Sequence, residues 1–412
     1  MNPRILVMTA GHLATCPRML KAADALAEHY DVRVVSARHE GWASDVDRVL
    51  HQTRRWRWSV VDYGHASAGG TYLWSGVRFR GAGGIARVAG ATRIPMAVVV
   101  RAYSRVHTEL VRAALAEPFD FIYGGTTGAL GAVADAARRA GVPYAIDLED
   151  FHGGEHGENN GRLANTLARR VERGILGGAT FVTTASEAIA EQYRASLGIS
   201  PAVINNTFSL PDRIPDFSRA PDGRLRLYWF SQTIGPGRGL DDAIAAMGRT
   251  ALPGELHVRG RALSGYLDAL RGLAAACAPR LAITHHPPAS ADAMVDLARG
   301  HDVGLALEQM AVVNRQLCLT NKAFTYILAG MAVALTDTPG QHALGVDLGP
   351  AAAVVPPADV DALAAAFARW ASDPCELERA KRAAWEAAVR RWHWEHPLER
   401  GALLELVRHS LS

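Results

Sequence analysis

The stretch from Leu305 to Asp337, LALEQMAVVNRQLCLTNKAFTYILAGMAVALTD, reads as a strand, a polar loop, a short helix and a second strand. Leu305, Ala306 and Leu307 close an apolar run. Thr320 or Asn321 can cap the helix, since both types accept hydrogen bonds from unpaired backbone N–H groups. Phe324, Ile327 and Leu328 recur at helical spacing and face a core. Gly330 ends the helix, and Met331 to Leu335 forms a buried strand. The helix therefore starts beside a strand's carboxyl end, with Lys322 in its first turn. Free N–H groups, the positive end of the helix dipole and an ammonium in one place favour a bound phosphate. An ordinary αβ unit with a solvated lysine fits the same spacing.

The rest of the chain repeats this alternation. Ile5 to Thr9 reads as a buried strand, followed by a loop with Gly11 and His12. Pro17 suits a first helical turn, and Met19, Leu20, Ala23, Leu26 and Ala27 form an apolar stripe before a second strand at Val32 to Val35. Such βαβ units imply a parallel sheet with ligands near the strand carboxyl ends. No G-x-G-x-x-G is present, so a nicotinamide cofactor is not supported. The 412 residues suggest two or three domains, and a net charge of +3 gives no case for nucleic acid. Cys16, Cys277, Cys318 and Cys375 are scattered without a C-x-x-C pair and read as reduced packing residues. The paired His285 and His286 lack a third ligand at metal spacing. The N-terminus enters a strand directly, and no apolar run approaches the ~20 residues of a membrane span. These features imply a soluble, cytoplasmic protein, with the inner face of a membrane left open.

Several segments carry local expectations. In residues 40 to 110, Arg54, Arg55, Trp56, Arg57, Trp58, Tyr72, Trp74, Arg78, Phe79 and Arg80 read either as an edge strand and mobile loop or as an acceptor or lipid-facing surface. A long helix over roughly Ile94 to Leu115 should present Arg101, Arg105 and Arg112 to solvent. Phe119 to Tyr123 enters the small-residue turn Gly124-Gly125-Thr126-Thr127-Gly128. Val142 to Ile146 ends in Asp147-Leu148-Glu149-Asp150, three carboxylates that are costly together unless paired or hydrated. His152 to Asn160 reads as a lid or loop, and Thr184 with Glu187 has capping-box spacing. After a Pro- and Asp-rich linker, Leu225 to Phe230 starts a second set of elements. Ser231 to Leu240 reads as the loop after that strand. Glu308 ends a later strand, and the polar turn Thr336 to Gln341 should face the same ligand edge.

The segment NKAFTYILAGMAVALTD resembles NK-x-F-E-Y-x-x-AG-x-PV of the GT-B glycosyltransferases, family 4 in particular. Cys16 to Lys21 is similar to its (N/D)PR-x-x-K-E-A, and Asp147 to His152 to its Y-D-x-H-E. Residues 182 to 206 resemble its V-S-x-x-L-A and V-I-x-N segments. Ser231 to Leu240 is similar to its G-R-x-x-x-x-K-G-x, with Arg238 at the usual Lys. The resemblance implies an α/β fold of two Rossmann-like doubly wound domains facing a central cleft. Its divisions are an acceptor-side domain at 1–208, a linker at 209–223 and a donor domain at 224–384, with helices in 385–412 packing back on the first.

The implied activity is a retaining, metal-independent sugar transfer from a nucleotide-sugar to a hydroxyl. The acceptor is a saccharide, a lipid-linked glycan or a small molecule, a membrane surface is a further contact, and no cofactor, metal or nucleic acid takes part. Arg238, Lys322 and Glu308 are its catalytic candidates. Gln232, Gly237, Asn314, Arg315, Thr320, Asn321 and Thr325 stand on the donor side. Gly11, His12, Asp147, Glu149 and Asp150 stand on the acceptor or sugar side. Thr325 replaces a Glu that commonly holds ribose, and Gln232 replaces an Arg. Two other readings stay open: a sugar-nucleotide 2-epimerase of this fold using Asp147, Glu149 and His12, and a non-catalytic binder with a degenerate donor site.

Overall fold

A computed structural model describes residues 2–39, 41, 43–65, 70–218 and 222–412. The expectations touching residues 40, 42, 66–69 and 219–221, and the side chains of 158–160, lie outside the described residues. Two units divide the chain: 1–205 with 400–412, and 206–399.

The first unit contains β1 (Arg4–Thr9), α1 (Pro17–Ala27), β2 (Asp31–Arg38), α2 (Ala43–Thr53), β3 (Arg57–Asp62), α3 (Thr71–Ala89), α4 (Met96–Tyr103) and α5 (His107–Ala114). It continues with β4 (Phe121–Gly125), α6 (Leu130–Ala140), β5 (Tyr144–Glu149), α7 (Glu158–Ile175), β6 (Val182–Thr184), α8 (Glu187–Leu197) and β7 (Ala202–Val203). The seven strands run parallel in the order β3-β2-β1-β4-β5-β6-β7. Ile5, Leu6, Val7 and Met8 are all fully buried, as a strand covered on both faces requires.

The second unit contains β8 (Leu225–Ile234), α9 (Leu240–Thr250), β9 (Gly254–Ala262), α10 (Tyr266–Cys277), β10 (Leu281–His286), α11 (Met294–Ala298), β11 (Val303–Ala306), α12 (Val313–Leu317) and α13 (Asn321–Leu328). Then come β12 (Ala332–Thr336), α14 (His342–Leu348), β13 (Ala352–Val355), α15 (Val360–Ser372) and α16 (Pro374–Arg390). Its order is β10-β9-β8-β11-β12-β13, again parallel. Successive residues of β8 feed opposite faces: Leu227 and Trp229 pack with Phe367 and Trp370, whereas Tyr228 packs with Phe324 and Tyr326. Both sheets reverse their winding once, between β1 and β4 and between β8 and β11. Ligands of open parallel sheets bind outside the carboxyl ends at such points.

Several expectations change. Residues 71–89 form a helix, not a loop, and β3 is the edge strand. The long helix of 94–115 is two helices, because Ser104 adopts an extended conformation at the end of α4. Arg105 is only partly exposed: it donates to the Tyr72 carbonyl (2.7 Å) and lies over the Tyr72 ring at 4.5 Å. Ser186, not Thr184, caps α8, accepting from the Ile189 N–H at 3.2 Å. His152 to Gly154 is a buried turn rather than a lid. Cys277 and Cys375 are exposed rather than packed. The described residues of 209–223 lie on the second unit, where Lys381 donates to the Ser218 carbonyl at 3.1 Å.

Of residues 385–412, only 400–412 join the first unit. There α17 (Ala402–Leu411) buries Leu403 and Val407, and Arg400 pairs with Glu28. Residues 385–399 stay with the second unit, where Trp392 stacks on Phe324 at 5.6 Å. Among the described residues, no helix is long and apolar enough to cross a membrane.

Three histidines meet in the second unit. The His301 ring lies 4.6 Å from His257 and 4.5 Å from Tyr228, and His257 stacks on His286. Burial pushes His301 down to about 4, with His257, His286 and Arg226 adding to the shift against the Ala298 carbonyl. The unfolded chain therefore binds this proton more readily, and stability falls as pH drops from about 6.5 towards 4. Thermal melts of His301→Phe should lose less stability than the parent over that window. Identical pH slopes would remove His301 as a cause.

Candidate functional site

At the second reversal point, the loop 235–239 meets the end of β11. Gly239 sits at φ +71°, and a Cβ there would fall 2.4 Å from the Leu307 Cβ and 2.6 Å from its carbonyl oxygen. Only glycine lets this loop lie so close, and that closeness brings Arg238 to Glu308. Gln309 clamps the other side, donating to Asp242 at 2.9 Å. Beneath, the Thr336 hydroxyl donates to the Glu308 carbonyl at 2.8 Å, and Gln341 donates to the Ala306 carbonyl at 3.1 Å.

The Glu308 carboxylate accepts from the Lys322 ammonium at 2.8 Å and from Arg315 at 3.2 Å. Lys322 also donates to the Thr320 hydroxyl at 3.1 Å, and its Nζ stands 5.8 Å from the Trp229 ring. Glu308 is 7% exposed and Lys322 8%. Burial would raise the carboxyl, but Lys322, then Arg238 and Arg315, hold it down to about 2. Arg238 differs from its neighbours. It is half-buried and, among the described residues, makes no hydrogen bond or ion pair. Burial and then Arg315 push its pKa down, against the pull of Glu308. Three cations share one carboxylate, so the cluster carries excess positive charge in a partly desolvated place.

The other donor-side candidates divide. Thr320 takes the N-cap position of α13, but its hydroxyl serves Lys322, so no side chain caps this helix. Asn321 opens the helix. Gly237 lies in the loop at φ +70°, and Asn314 is buried, accepting from the Cys318 thiol at 3.3 Å. Gln232 is exposed and sits within β8, not in a loop; β8 continues past an irregularity to pair Thr233 with Arg261. Thr325 is turned inward: it has no exposed surface, and its hydroxyl returns to the Asn321 carbonyl at 3.4 Å. Thr336, Thr338 and Gln341 are likewise buried, so that turn braces the site's backbone instead of lining a surface.

In the first unit, two acceptor-side candidates are buried and held by internal partners. Asp147 is 1% exposed and accepts from Nε and Nη2 of Arg18, at 2.7 and 2.6 Å, and from the Thr183 hydroxyl at 2.7 Å. Burial works against Arg18's charge, but Asp147 outweighs it and raises the guanidinium above its usual pKa. His12 is enclosed: Nδ1 stands 2.7 Å from Asp47, and Nε2 lies 2.8 Å from the His39 carbonyl. Gly11 has open space where a side chain would be. Glu149 is partly exposed at φ +54°, a left-handed conformation rarely held by a non-glycine residue. Thr126, at the end of the neighbouring β4, shares it at φ +75°. Burial, then Asp150 and Asp147, push Glu149 up to about 7 against Arg18. Asp150 beside it is also partly exposed.

Sequence reasoning assigned no role to Arg18, Trp229, Gln309 or His152. Arg18 lies inside the quoted PR-x-x-K motif, which was a usable signal. His152 has none: it is buried, pairs with Glu155, and is raised to about 9 by that carboxylate although burial alone would lower it. Among the described residues, no group of three or more His, Cys, Asp or Glu side chains is arranged to hold a metal.

Two open parallel sheets, each with one reversal point, define the GT-B class. The family described as "Glycosyl transferase 4-like domain" matches residues 17–206, nearly the whole first unit, so this unit resembles a glycosyltransferase domain. Among solved structures of this fold, Anabaena HepE in complex with UDP and glucose is 16% identical at TM-score 0.67, covering 99% of each chain. Sucrose-phosphate synthase from Thermosynechococcus elongatus is 13% identical at TM-score 0.69, covering 99% of this chain and 98% of its own. A Staphylococcus aureus TarM mutant in complex with fondaparinux, alpha-GlcNAc-glycerol and UDP is 8% identical at TM-score 0.65, covering all of both chains. No curated protein sequence matches the chain.

Proposed function

We propose that the chain transfers a sugar from a nucleoside diphosphate donor to an acceptor hydroxyl, with retention and without a metal. The observation that carries this is Arg238, a half-buried cation that makes no ion pair among the described residues and is crowded by Arg315. A diphosphate would relieve that repulsion and accept hydrogen bonds from the guanidinium. As the sugar–phosphate bond breaks, charge grows on the leaving diphosphate, and Arg238, Arg315 and Lys322 stabilise it. Glu308 positions two of those cations. The uncapped N–H groups of α13 supply further donors. Without a metal, the departing phosphate itself takes the acceptor's proton.

On the acceptor side we place Glu149 and Asp150. The acceptor is a saccharide, a lipid-linked glycan or a small molecule, and a lipid-linked one would bring the protein to a membrane. The epimerase reading is weakened because Asp147 is committed to Arg18 and His12 is enclosed. UDP is the first nucleotide to try, since the HepE and TarM structures contain it. Calorimetry with UDP and GDP should give one saturable, salt-sensitive binding event. Absence of binding by either nucleotide would leave a degenerate site and overturn the reading.

A further inference from the structure

Helix α3 is inside out. Its buried positions are the small residues Ser75, Gly76, Ala82 and Ala86. Its large apolar side chains face water: Leu73 is 65% exposed, Trp74 64%, Val77 52%, Ile85 51% and Val88 91%. At 3.6 residues per turn these five fall within roughly 120° of one another, and only Gly81 and Gly84 share that sector. A contiguous apolar stripe on a surface marks a docking site, because folding gains nothing from leaving it in water.

The borders of the stripe are cationic. Arg80 and Arg87 flank one side, and Arg78 flanks the other, paired to Glu109. From Tyr63 to Thr108 the sequence holds six arginines and no Asp or Glu. Arg80, Arg87 and Arg93 are exposed and have no carboxylate partner among the described residues.

We propose that this face seats on an anionic lipid surface, with the stripe at the headgroup boundary and the arginines on lipid phosphates. Self-pairing of two copies would set arginine borders against arginine borders, with Glu109 already paired to Arg78. The inference deepens the membrane contact named above and rests on the transferase reading only for its purpose, delivery of the catalyst to a lipid-borne acceptor.

The test is flotation of the full chain with phosphatidylcholine vesicles, with and without phosphatidylglycerol. The protein should float only with the anionic vesicles and be released by salt. The double variant Leu73→Ser/Trp74→Ser should lose binding on the order of a hundredfold, and Arg80→Gln/Arg87→Gln on the order of tenfold. Both should retain UDP binding and the parent melting temperature. Sedimentation of the parent with both vesicle types would overturn the proposal. So would equal flotation with both, or insensitivity to either pair of substitutions. A dimer abolished by Leu73→Ser/Trp74→Ser, without flotation, would assign the face to a second copy instead. Loss of UDP binding with flotation intact would sink the donor-site reading and leave this one standing.

Discussion

Arg238→Ala should lower kcat/KM for sugar transfer on the order of a hundredfold or more and leave the fold untouched. The asymmetry follows from its surroundings. Arg238 makes no ion pair among the described residues, and burial and Arg315 outweigh Glu308 in disfavouring its charge, so removing it costs the folded state little. Its use lies in the transition state, where charge builds on the leaving group. Lys322→Ala should match it in activity but also melt earlier. That substitution strips Glu308, 7% exposed, of its closest cation. Transfer kinetics, UDP affinity and melting temperature, measured on both variants, separate the two effects. Unchanged kcat/KM in Arg238→Ala would remove the diphosphate assignment.

The largest loss of stability should come from Asp147→Ala. It leaves the Arg18 guanidinium, 5% exposed, without its bidentate partner. Breaking such a buried pair from one side costs about 3–5 kcal/mol, because an uncompensated charge stays behind. The double variant Arg18→Met/Asp147→Leu should recover most of that loss, since neither charge remains to be desolvated. Denaturant unfolding of the three proteins would show the order. If Asp147→Ala unfolds like the parent, the pair is not holding the first sheet together.

The alternation of strands and helices was legible because buried parallel strands are continuous apolar runs. The NK helix and the basic loop could be read the same way, through spacing plus family resemblance. What misled was chemistry that spacing does not encode. Asp147 and Glu149 are two residues apart at one strand's end, yet one is locked to Arg18 and the other is partly exposed on a left-handed backbone. The partner that decides between those fates is 129 positions away in the chain. Thr325 has its hydroxyl turned back to Asn321, and Gln341 fits a polar turn while its amide braces two carbonyls. The inversion of α3 escaped because small residues can pack a helix face as well as large ones.

Residues 400–412 complete the first unit, although some two hundred residues of the second intervene. During synthesis, the N-terminal sheet leaves the ribosome long before the segment whose Arg400 and Ser410 meet Glu28 and Thr180 exists. The seat for Leu403 and Val407 stays bare in that interval.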